Sequence, residues 1–243
     1  YLSKDYLTLT DHLMSSVNDG LDQLSRRFTT ALSVDKDHLL AAELVLRLSG
    51  QNRLIGVAFL GQISDILKPS TDHEYLLAYA LFGALREVGG EITAVVLNNW
   101  GAALLAQAEL KNGTVADALF AESYAKCCEA VKYKPDLHEA WNNWGTALAN
   151  QAKTKAGAKA DALFTESYAK YSEAVRHKPD KHEAWYNWGN TLLAQANLKH
   201  GCEADALFAE SYAKYGEAIR HKPSYYNAWT NWGTALSAQA ELK

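Results

Sequence analysis

An asparagine stands at Asn99, Asn143, Asn187 and Asn231, at successive intervals of 44 residues. An amide side chain carries both a donor and an acceptor. One such residue per period could therefore hold the N–H and C=O groups of an extended peptide without reading its side chains. The places beside it vary between copies. Asn142 becomes Tyr186 and Thr230, Thr146 becomes Asn190, and Asn150 becomes Ala194 and Ala238. A constant amide beside the variable Asn142, Asn150, Tyr186 and Asn190 gives a candidate peptide-binding row. In this reading the variable positions set specificity. The plainer alternative is that duplication copied the asparagine with everything around it, and that it solvates a helix face.

Other chemistries find less support. His138 matches His182 and His177 matches His221, one per unit, but neither has a Cys or second His at helical spacing. They read as surface or capping residues, with no metal site. Cys127, Cys128 and Cys202 form no CxxC pair, and this usage fits a reducing compartment. Cys127 stands where other copies have Tyr171 and Tyr215, so it reads as a smaller core residue. Glu122, Glu166 and Glu210 precede Lys126, Lys170 and Lys214 by four residues, a spacing that marks a solvated, convex helix face. No glycine-rich phosphate loop, GxSxG elbow or HExxH occurs, so neither catalysis nor a cofactor is expected.

The asparagines sit inside a stretch written four times: LNNWGAALLAQAEL from Leu97, WNNWGTALANQAK from Trp141, WYNWGNTLLAQANLK from Trp185 and WTNWGTALSAQAELK from Trp229. On a helical wheel Trp141, Trp144, Gly145, Leu148 and Ala152 share one face, which is the expected core. Asn143, Thr146 and Asn150 lie opposite, with Asn142 on one flank. Glycine weakens a helix, so its return at Gly101, Gly145, Gly189 and Gly233 predicts a neighbouring helix too close for a side chain. Gly113, Gly157 and Gly201 then mark breaks where a helix-ending residue with positive φ would sit. A second helix carries the stripe Phe164, Tyr168, Tyr171 and Val175, with Ala174 beside it. Pro135, Pro179 and Pro223 stop that helix, and Asp136 and Asp180, each followed three residues later by Glu, are expected to cap the next.

A repeat period of this size signals stacked helical units. The order of Trp141, Trp144, Gly145, Leu148, Tyr171, Ala174 and Pro179 resembles the signature of the tetratricopeptide (TPR) repeat, and recurs from Trp185 to Pro223. The unit is about ten residues longer than the usual 34. Both helices are therefore expected to be lengthened by about one turn. The resemblance implies an all-α, right-handed α-solenoid whose first helices line a concave groove. It also implies asparagines that hold a ligand's main chain, as in peptide-binding members. Some members clamp a C-terminal carboxylate with inner-helix Lys or Arg, but Leu97 to Leu110, Trp141 to Ala152 and Trp185 to Leu198 contain none.

The expected array spans 94–243, divided as 94–138, 139–182, 183–226 and a terminal helix 227–243. Residues 1–93 read as an irregular helical region. The spacing of Leu21, Leu24, Phe28 and Leu32 predicts a helix, as do the stripes from His38 to Leu48 and Leu54 to Leu67. The LIGVAFLGQI run is also compatible with a buried strand, and helix is preferred because no partner strand is evident. A worn repeat helix is expected at about 69–88.

The chain has 243 residues, 48% hydrophobic and 21% charged, with a formal charge of −4. It has a folded composition without the basic field a nucleic-acid partner would need. No apolar run approaches the ~18 residues of a membrane-spanning helix. The chain reads as a cytoplasmic piece of a longer protein: a non-catalytic scaffold binding a protein segment, extended or helical. The alternative is a self-assembly or regulatory module that associates as a homo-oligomer through the ends of its solenoid.

Overall fold

The structure is a computed structural model that describes Tyr75, Ala78, Tyr79, Phe82, Gly83, Arg86 and residues 92–242. The predicted helices around Leu21–Leu32, His38–Leu48 and Leu54–Leu67 lie outside the described residues. The chain divides into two compact units, Tyr1–Asn99 and Trp100–Lys243. In the first, the described residues between Tyr75 and Arg86 are helical, where a worn repeat helix is expected. Tyr75, Ala78 and Phe82 are buried at three- and four-residue spacing while Arg86 is exposed, as an amphipathic helix requires.

Regular structure among the described residues is entirely α-helical. The helices are α1 (Ile92–Glu109), α2 (Gly113–Tyr133), α3 (His138–Lys153), α4 (Gly157–His177), α5 (His182–Ala196), α6 (Gly201–His221) and α7 (Tyr226–Glu241). The boundary between the units falls within α1. Alternating first helices (α1, α3, α5, α7) and second helices (α2, α4, α6) form a TPR-like stack of hairpins. First helices α3, α5 and α7 have 15 or 16 residues and second helices 21.

The glycine expectation is met closely. A Cβ on residue 145 would lie 2.9 Å from Tyr171 Cε1, one on residue 189 would lie 2.7 Å from Tyr215 Cε1, and one on residue 101 would lie 2.7 Å from Cys127 Sγ. Gly113, Gly157 and Gly201 have φ of 62°, 58° and 58°. The left-handed conformation is as expected, but each glycine opens a second helix instead of ending a first one. The chain reverses at that residue, and the turn before it has already closed the first helix.

The caps differ from expectation. First helices begin after Leu137, Lys181 and Tyr225, and none of these caps makes a side-chain hydrogen bond. Asp136 and Asp180 lie one residue too early, and Asp180 instead pairs with Lys178 at 3.1 Å. Glu139 and Glu183 remain in the first turn, where a negative charge suits the helix dipole.

The core forms between the layers. Leu148, Ala152, Phe164, Tyr171 and Ala174 are each at most 2% exposed, and so are their counterparts Leu192, Ala196, Phe208, Tyr215 and Ala218. Cys127 is fully buried in the Tyr171 position, and burial pushes its thiol up to about 12. Within the Trp100–Lys243 unit, α3 touches α5 and α5 touches α7, while no two of α2, α4 and α6 touch. Helices that meet on one side and stand apart on the other curve a stack toward the touching side. The first helices therefore line the inner face of this unit.

Candidate functional site

The inner face is laced by amide and phenol groups at the contacts between first helices. Asn187 Nδ2 donates to Asn142 Oδ1 at 3.1 Å, joining α5 to α3. Asn231 Nδ2 donates to Asn190 Oδ1 at 2.8 Å and Tyr186 Oη at 2.9 Å, joining α7 to α5. Tyr215 Oη also donates to Asn190 Oδ1, at 2.9 Å, which extends the network to α6. Asn142 Nδ2 reaches Asn143 Oδ1 at 3.4 Å, and Asn98 Nδ2 reaches Asn99 Oδ1 at 3.3 Å.

At the α3–α5 contact Asn142, Asn143 and Asn187 thus share one polar seam, and at the α5–α7 contact Tyr186, Asn190 and Asn231 share another. Asn187 and Asn231 spend their N–H groups within the protein. Among the described residues, no protein donor reaches the Oδ1 of either one. Both side chains are half-buried, so each seam fixes its amide and leaves an acceptor unspent.

Two predicted groove residues sit elsewhere in the polar network. Thr146 Oγ1 lies 3.1 Å from Tyr171 Oη, so it faces its own second helix. Asn150 donates to Glu109 at 2.6 Å and accepts from Lys153 at 2.9 Å. Tyr186 packs edge-on against Tyr225, with ring centroids 5.1 Å apart. Its ring is held by packing and its hydroxyl by Asn231.

The paired tryptophans are half-buried instead of lying wholly in the core. Trp141 stacks on Trp144 with centroids 5.6 Å apart and planes 6° apart, and Trp185 stacks likewise on Trp188 at 5.9 Å and 3°. The outer indole of each pair donates to the proline carbonyl before its helix: Trp141 to Pro135 and Trp185 to Pro179, both at 2.8 Å. Lys126, Lys170 and Lys214 lie over the rings of Trp100, Trp144 and Trp188, at 3.8, 4.0 and 3.7 Å from the centroids. The side chains of Lys170 and Lys214 are only 19% and 18% exposed, although they keep their pairs with Glu166 and Glu210. The expected solvated lysines therefore cover the indoles, because a long aliphatic stem gains by lying on an apolar face while its ammonium meets the ring.

A second set of repeating contacts escaped the sequence reading. Asp161, on α4, accepts from Gln195 and Lys199 at 2.8 Å each, and Tyr168 donates to Gln195 Oε1 at 2.6 Å. Asp117 with Lys155, and Asp205 with Gln239, repeat the tie. The lysine hydrogen bonds hold the Asp117 and Asp161 carboxyls below their usual range. The signal was present, since Asp, Gln and Lys each return after 44 residues, but no helical wheel joins them.

Desolvation holds the imidazoles of His138 and His182 below their ordinary pKa, against the opposing pull of Glu139 and Glu183. Among the described residues no cluster of three or more His, Cys, Asp or Glu gathers that could bind a metal. Nor is any helix among them long and apolar enough to cross a membrane.

The family model described as plant-specific mitochondrial import receptor subunit TOM20 matches residues 119–234. A comparison with curated proteins finds no match. Among solved structures the chain is similar to YrrB, described as a TPR protein with an unusual peptide-binding site. The identity is 19% and the TM-score 0.41, over 84% of this chain and 96% of that one.

Proposed function

We propose that this chain is a non-catalytic protein-binding scaffold that holds a segment of a partner protein along the inner face of its first helices. One observation carries the reading: Asn187 and Asn231 are fixed by neighbouring helices while each keeps an unspent Oδ1 acceptor. A fixed acceptor in each of two successive units suits the N–H groups of a peptide main chain, and costs little ordering entropy on binding. Asn143 repeats the position in α3, but its Oδ1 already accepts from Asn142. Asn142, Asn150, Tyr186 and Asn190 would shape what lies beside the row.

The match to an import-receptor family favours a more specific form of the same reading, in which the segment belongs to a protein bound for mitochondria. The chain would then work at the mitochondrial surface instead of free in the cytoplasm.

The experiment is a peptide array that includes mitochondrial targeting segments, probed with the full chain and with two sets of variants. Asn187→Ala with Asn231→Ala removes the acceptors and the seams. Asn142→Ala with Tyr186→Phe loosens the same seams but leaves both acceptors. Peptide capture lost only in the first set supports the row. Equal capture by the first set and the wild type overturns it.

A further inference from the structure

The unspent acceptor on Asn231 depends on which way two amides are turned. Asn231 Nδ2 donates to Asn190 Oδ1 and to Tyr186 Oη, and Tyr215 Oη donates to the same Asn190 oxygen. Turning both amides over gives a second network on the same atoms. Asn190 Nδ2 would then donate to Tyr215 Oη and to Asn231 Oδ1, and the Tyr186 hydroxyl would donate to that Oδ1 as well, since a phenol oxygen both donates and accepts. Each network holds three hydrogen bonds, so their number does not choose between them.

The hydrogen on the Tyr215 hydroxyl does choose. Tyr215 is 0% exposed, and among the described residues its hydroxyl bonds to Asn190 alone. In the second network that O–H would be buried with no acceptor, and its lost hydration would go uncompensated. The groups left over in the first network are the Tyr186 O–H, the Asn190 NH2 and Asn231 Oδ1. They stand on half-buried side chains, and none is a buried orphan. The preceding unit lacks this constraint. Tyr171 Oη lies 3.1 Å from Thr146 Oγ1 and 3.4 Å from Thr191 Oγ1, and a threonine hydroxyl serves as donor or acceptor. One unit on, Asn190 stands in the place of Thr146 and Ala235 in that of Thr191, so the phenol is left with an amide.

We infer that Tyr215 is a positioning residue for the inner face. Its buried hydroxyl hydrogen sets the polarity of the network that joins Asn190, Asn231 and Tyr186, so that Asn231 shows an oxygen to the groove and Asn190 shows an NH2. The consequence for a ligand rests on the groove reading: at this contact it must offer a hydrogen-bond donor to Asn231. The polarity itself does not rest on that reading. A following first helix does not consume the oxygen either, because α7 touches α5 and Asn187 Oδ1 still accepts from no described residue.

The test is side-chain NH2 hydrogen exchange in the isotope-labelled full chain, followed by NMR without any peptide. In the wild type the Asn231 NH2 should exchange about tenfold more slowly than that of Asn190, the protection given by roughly one hydrogen bond. In Tyr215→Phe each network keeps two bonds, so the two rates should converge to within about twofold. Adding Asn190→Asp to Tyr215→Phe should restore slow exchange at Asn231, because a carboxylate only accepts. A wild-type Asn190 as well protected as Asn231, or a difference that Tyr215→Phe leaves unchanged, overturns the inference. So does failure of the aspartate to restore Asn231, which would leave the hydroxyl a packing role only. Loss of peptide capture with this exchange pattern intact would count against the groove reading and not against the role of Tyr215.

Discussion

Gly145 and Tyr171 are in contact at a distance that admits no side chain on residue 145: a Cβ there would meet Cε1, Cδ1 and Cζ of the ring at 2.9 to 3.1 Å. The ring cannot withdraw, because it is 1% exposed and its hydroxyl is held by Thr146 and Thr191. Gly145→Ala is therefore expected to destabilise by about 1–2 kcal/mol, as overpacking of ~1–3 kcal/mol outweighs the helix-propensity gain of up to ~1 kcal/mol. Gly189→Ala should do the same. Gly233→Ala, with open space around it, should stabilise by up to ~1 kcal/mol. Urea unfolding of the three variants checks this, and a uniform effect at all three positions would contradict the packing account.

Lys214 covers Trp188 at 3.7 Å and also stands 5.8 Å from the ring of Trp185. Lys214→Met keeps an apolar stem and removes the charge. It should lower stability by about 0.5–2 kcal/mol, the span from exposed to desolvated cation–π contacts. In a double-mutant cycle with Trp188→Leu, the lysine change should cost markedly less. An equal cost in both backgrounds would assign the lysine's contribution to its Glu210 pair instead.

Acid should weaken the array in two stages. His138 and His182 have folded pKa values depressed below 6.5, so the unfolded chain binds protons first as pH falls. Their contribution is complete above 6.5 and is lost as pH drops from there through the lower folded values. Asp117 and Asp161, depressed below 3.8 by their lysine hydrogen bonds, add a second loss beneath that pH. Melting temperature followed from pH 8 to pH 3 should show both stages, and His138→Gln with His182→Gln should flatten the upper one alone. An upper stage unchanged in the double variant would mean other groups cause it.

The sequence by itself determined the elements and much of their packing. A 44-residue period, proline after each second helix and glycine opposite each tyrosine all depend on local geometry or on contacts within one unit. Such contacts follow from helical periodicity. The Phe164, Tyr171 and Ala174 stripe was legible for the same reason, as was Cys127 in the core. The capping expectation at Asp136 and Asp180 failed because a helix start depends on the exact backbone path of a short turn, and each helix begins one residue beyond the reach of a cap.

The tertiary structure alone decided what surrounds the candidate residues. Asn187 meets Asn142, and Asn231 meets Tyr186 and Asn190, because neighbouring first helices sit side by side. Their angle and separation arise from the packing of whole units, which a helical wheel drawn for one helix cannot contain. The lysines turned from solvent to the indoles because the adjoining first helix offers aromatic faces that the second helix's own sequence does not reveal. The asparagine row is written in the sequence, but which of its hydrogen-bonding groups stay unspent is a property of the stacked array.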